Sequence, residues 1–68
     1  MERKRYLELC QRNAIYPKSV IVEYNGGDYC PVSLTIWFNS SGETQNTAKL
    51  IDKNCHSETH CRLSEVKE

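Results

Sequence analysis

The chain has no apolar run long enough to cross a bilayer, and none of signal-peptide length behind its charged N-terminus. That pattern is expected of a protein without a secretory leader, held in a reducing cytoplasm with free thiols. The Asn39-Ser40-Ser41 sequon means nothing without secretion. No Gly/Ser linker, repeat or low-complexity tract divides the chain, so residues 1–68 read as a single domain. P-loop, dinucleotide fingerprint and zinc-protease helix are all missing, and Gly26-Gly27 reads as a turn. No Cys-x-x-Cys is present, which removes the usual thiol redox motif.

A surplus of charge is also lacking. Nine basic residues balance nine acidic ones, so the whole chain does not look like a nucleic-acid binder. The distribution is uneven, however. Residues 1–18 carry Arg3, Lys4, Arg5, Arg12 and Lys18 against Glu2 and Glu8, a net +3, and the remainder carries −3. At 68 residues the core contributes only roughly 3–5 kcal/mol, so a metal, a disulfide or a shared interface in a homodimer would help.

Residues 2–15, from ERKRYLELCQRNA, read as a helix of about three turns. Leu7, Cys10 and Ala14 fall at i, i+3 and i+7 with Tyr6 beside them, a narrow apolar stripe that must dock on something. Glu8 and Arg12 support the helix at i, i+4, and Tyr16-Pro17 stops it. Residues 17–68 read as β structure. SVIVEY places Val20, Val22 and Tyr24 on one face, and Asn25-Gly26-Gly27-Asp28 signals a hairpin. PVSLTIWFN alternates, with Val32, Leu34, Ile36 and Phe38 toward the core and Ser33, Thr35 and Trp37 away from it. ETQNTAKLI gives a third strand after the Asn39–Gly42 turn, and THCRL a fourth.

The expected fold is therefore α+β: an N-terminal helix packed on a four-stranded antiparallel meander. A small twisted sheet closes on itself to hide its edges, and the length from Pro17 onward suits an SH3-like barrel.

NCHSETHC, Asn54 to Cys61, holds two cysteines and two histidines, the residue types zinc prefers. Their spacing points elsewhere. Adjacent Cys55-His56 and His60-Cys61 split across opposite faces of extended chain. With SET as a hairpin tip, Cys55 faces Cys61 and His56 faces His60, so each face offers two ligands. A complete site needs two more, which only Cys10 and Cys30 could supply, or Cys55 and Cys61 could bridge in an oxidising setting. No metal ligand, catalytic residue or cofactor is assigned, and the chain reads as a non-enzyme.

Trp37 stands out as a partner anchor, with Thr35 and Lys49 beside it and Tyr24 and Tyr29 as an aromatic rim near the NGGD turn. The competing placement buries Trp37 under the helix, against Tyr6, Leu7 and Cys10. Nucleic acid is the other use of a small barrel, with Arg3, Lys4, Arg5, Arg12 and Lys18 on phosphates.

Five segments carry a resemblance: Tyr6–Ala14, Val22–Pro31, Phe38–Glu43, Thr47–Asp52 and Cys61–Lys67. Together they resemble small uncharacterised phage and prophage proteins of Gram-positive bacteria. The chain departs from that pattern around Cys55–His60, so the resemblance lends no metal role there. It implies an accessory protein in the host-cell cytoplasm, away from membranes. The resemblance implies no specific activity. Together with the small size, the lack of catalytic motifs and Trp37, it leads to the expectation of a protein that binds a host or phage protein, for instance to antagonise a host process such as defence. A nucleic-acid-binding module and a small zinc-stapled domain are the alternatives.

Overall fold

A computed structural model describes all residues from Met1 to Glu68. One helix, α1 (Arg3–Ile15), precedes four strands: β1 (Val22–Tyr24), β2 (Gly27–Phe38), β3 (Thr44–Asp52) and β4 (Glu58–Arg62). A short 3-10 turn, Leu63–Glu65, follows. No helix is long and apolar enough to cross a membrane.

The helix docks through Tyr6, Leu9 and Cys10, with Asn13 half-buried one turn further on. This corrects the expected stripe: Leu7 is 46% exposed and Ala14 lies in solvent. The true face runs through positions 6, 9, 10 and 13. Its last member is a polar Asn, so apolar periodicity places the stripe one residue out of phase. Asn13 is inside because its Nδ2 donates to the Pro31 carbonyl at 3.2 Å. Arg12 O accepts the Tyr16 N–H at the helix end, and Lys18 then reverses the chain in the left-handed region, φ 64°.

The strands form an antiparallel meander in the order β1-β2-β3-β4. Asn25 and Gly26, both at positive φ, make the two-residue β1–β2 turn, so β2 starts at Gly27 rather than at Pro31. β1 reaches only Gly27–Tyr29 of β2, whereas β3 runs along nearly all of it. Between Pro31 and Ser33 the register shifts, leaving Val32 as an extra residue. That bulge bends β2, and the sheet curls into a half-barrel. β1 and β4 do not pair with each other. Instead the chain end crosses the seam, where Glu23 and Lys67 exchange backbone hydrogen bonds of 2.7 and 2.9 Å.

Inside the curl, Ala48 and Leu50 of β3, Val22 of β1 and Cys61 of β4 meet Tyr6, Leu9 and Cys10 of the helix. Val20, Leu63 and Val66 complete this core. β2 contributes less than its alternation promised. Leu34 packs against the core, but Ile36 is 44% and Phe38 69% exposed. The reason is length. A twelve-residue strand spans about 40 Å and a thirteen-residue helix about 20 Å. The helix therefore cannot cover the strand, and the distal β2–β3 hairpin projects beyond it in a molecule 37 Å long, arm included.

Candidate functional site

The projecting hairpin is an ordered arm with a braced tip. Asn39 Oδ1 accepts the N–H groups of Ser41 and Glu43 at 2.9 and 3.0 Å. Asn39 and Glu43 also share a backbone hydrogen bond, and Gly42 supplies the φ of 81° that closes the turn. The sequon asparagine is thus the side chain that organises this turn.

Along the arm, Ile36, Trp37 and Phe38 are all exposed large hydrophobic residues in consecutive positions. Register assigns Trp37, Thr35, Thr47 and Lys49 to one face and Leu34, Ile36 and Phe38 to the other. The indole is fixed: Trp37 Nε1 donates to Thr47 Oγ1 at 3.0 Å. Trp37 does not meet the helix, which packs on the opposite face, over Ala48 and Leu50.

Of the residues anticipated beside Trp37, Thr35 is exposed on its face, and Lys49 follows further along, paired with Glu58 at 3.2 Å. Tyr24 and Tyr29 are not part of this surface. They make an edge-to-face pair, centroids 5.8 Å apart, at the other end of β2 and pack against the core. Ile36 and Phe38 were missed as surface residues, because strand alternation alone assigned them inward. The mismatch between helix and strand length was the available signal.

The basic residues do not gather into one patch. Arg5 Nε donates to both Glu68 carboxylate oxygens at 2.9 and 3.1 Å, and Glu8 also reaches this guanidinium. Those contacts hold the Glu68 carboxyl below its ordinary range and raise Arg5. Arg3 donates to Asn46 Oδ1 at 3.2 Å, while Lys4 and Arg12 are exposed. Lys18 Nζ lies 3.4 Å from His56 Nε2, across a cleft of about 190 Å³ that Asn13 and Cys30 also line.

The Cys/His segment is built differently from the expected hairpin. Its turn runs from Asp52 to Ser57, with His56 at φ 62°, and β4 begins only at Glu58. Cys55 therefore sits exposed in the turn while Cys61 is buried opposite Ala48, so the two do not face each other. His60 lies on the outer face, opposite Lys49. Asp52 holds the turn: its carboxylate accepts the N–H groups of Asn54 at 2.8 Å and Cys55 at 3.0 Å, which pulls its pKa down. Cys10 and Cys30 are both buried, and no three His, Cys, Asp or Glu side chains converge. Burial pushes the Cys10 and Cys61 thiols up, away from the thiolate that binds metal or attacks electrophiles.

What the molecule presents to solvent, then, is a two-stranded arm with a hydrogen-bonded tip, bearing apolar and aromatic side chains. Compared with protein-family models, with curated proteins and with solved structures, the chain matches none.

Proposed function

We propose that the protein is a non-catalytic accessory module, of phage or prophage type, that engages a host or phage protein through its β2–β3 arm. Exposure of Ile36, Trp37 and Phe38 on a strand without charge from Tyr29 to Gly42, at a hairpin with a braced tip, supports this reading most directly. Consecutive exposed aromatics are costly to leave in water and are favoured as anchors, because each buries a large rigid surface. Adjacent Thr35 and Thr47 supply hydroxyls around the indole. The phage-type assignment and the host-cytoplasm location rest on the sequence resemblance, and action against a process such as defence is what binding a host protein would serve.

Nucleic-acid binding has less support, since Arg5 is compensated by Glu68 and Glu8 and Lys18 is turned toward His56. The test is affinity capture from host extract with wild type, Trp37→Ala and Phe38→Ala side by side. A partner held by wild type and lost by both variants supports the arm. An unchanged set of captured proteins rejects it.

A further inference from the structure

We propose that the outer edge of β2 on the arm pairs, antiparallel, with the same edge of a second copy about a two-fold axis through Ile36. This rests on reading the arm as a contact surface and names one occupant for its edge. Antiparallel ladders alternate bonded and non-bonded pairs. Asn39 donates to the Glu43 carbonyl, so Trp37–Gln45 and Thr35–Thr47 are the bonded pairs below it. The N–H and C=O groups of Leu34, Ile36 and Phe38 consequently point out of the ladder. β1 covers only Gly27–Tyr29, so nothing in this chain pairs with them.

Each of the other edges is defended. The Lys67 bridge occupies the edge of β1. β4 is five residues long and carries Glu58 and Arg62, and the distal edge of β3 is Thr44, Gln45 and Asn46. Short length, charge and covering are how sheet proteins avoid pairing with other chains. The β2 edge has none of these: from Tyr29 to Gly42 there is no charged residue.

The edge is also self-complementary, as a two-fold contact requires. With Ile36 opposite its own copy, Leu34 falls opposite Phe38, and about six backbone hydrogen bonds form. Pairing spans Ser33–Asn39, so each turn stops short of the other copy's β1. Leu34, Ile36 and Phe38 of both copies then make one apolar row on one face. On the other face each Trp37 meets the copy's Thr35 at a close, non-bonded pair, and both indoles remain accessible to a further partner. Phe38 and Ile36, 69% and 44% exposed, offer on the order of 200 Å² per copy to this contact. That is well below the roughly 800 Å² per partner of a standard interface, so the association is expected to be weak and to depend on concentration.

Sedimentation equilibrium of the full chain, from about 1 to 500 µM, reads the association directly. Wild type is expected to double its mass with concentration. Amides of Leu34, Ile36 and Phe38 should exchange slowly only at the high end. Ile36→Pro removes an outward N–H without touching the β2–β3 ladder, and Ile36→Lys sets two ammonium groups face to face. Both variants should stay monomeric with unchanged circular dichroism, and if the proline variant misfolds, the lysine variant decides. Monomeric wild type throughout, or a dimer that Ile36→Lys leaves intact, overturns the proposal. A monomer that still captures a partner through Trp37 overturns the pairing alone and leaves the function standing. A dimer without Trp37-dependent capture supports the pairing and rejects the function.

Discussion

The Tyr6 hydroxyl donates a 2.9 Å hydrogen bond to the Lys49 carbonyl, joining the first turn of the helix to the middle of the sheet. Lys49 pairs with Ser33, the residue just past the Val32 bulge, so this buried hydroxyl bonds the backbone where the ladder is disturbed. Asn13 serves the neighbouring Pro31 carbonyl, so two residues of one helix face secure the bend in β2.

Tyr6→Phe is expected to destabilise the fold by about 1–3 kcal/mol, the cost of leaving buried polar groups unpaired, measured by urea unfolding. Burial also raises the Tyr6 pKa. A folded pKa above the unfolded one gives stability that is complete below about pH 10 and lost as pH rises further. The alkaline loss should therefore be smaller in Tyr6→Phe than in wild type.

Asp52 sets the acid limb. Its folded pKa is depressed, by the Cys55 and Asn54 N–H groups first, so its contribution is present above the unfolded value of about 4. It falls away as pH drops through the folded value. Asp52→Ala should thus lower the urea midpoint at pH 7 and converge with wild type as acid protonates the folded carboxylate.

Trp37→Ala and Phe38→Ala should change stability by no more than about 0.5 kcal/mol, as substitutions at exposed positions do. Leu50→Ala, inside the curl, should cost about 2–5 kcal/mol. Thermal melts of the three variants check the contrast. A destabilisation of Trp37→Ala matching that of Leu50→Ala would mean the arm is part of the core.

The four thiols should react unequally. Cys55 is exposed, whereas Cys10, Cys30 and Cys61 are buried. Titration of native protein with a thiol-disulfide reagent should show one fast thiol, absent from Cys55→Ser, and three more only on unfolding.

How legible all this was varies by element. The helix expected over residues 2–15, the Asn25-Gly26 hairpin and the third strand from ETQNTAKLI are local patterns, and they stand as expected within a few residues. The core row on β2 was legible only as far as Leu34. Register beyond the Val32 bulge, and the end of the helix above it, depend on contacts between distant segments. Tyr24 and Tyr29 looked like surface because they flank a turn, and packing against the core drew them in.

By itself, then, the sequence determined which stretches are helix, strand and turn, because backbone preference and period act over a few residues. Tertiary structure decided which side of each element is inside. It moved the helix stripe to Tyr6, Leu9 and Cys10, separated Cys55 from Cys61, and left Ile36 and Phe38 outside. Burial belongs to whatever lies opposite, and a helix half as long as β2 leaves the far half of that strand uncovered.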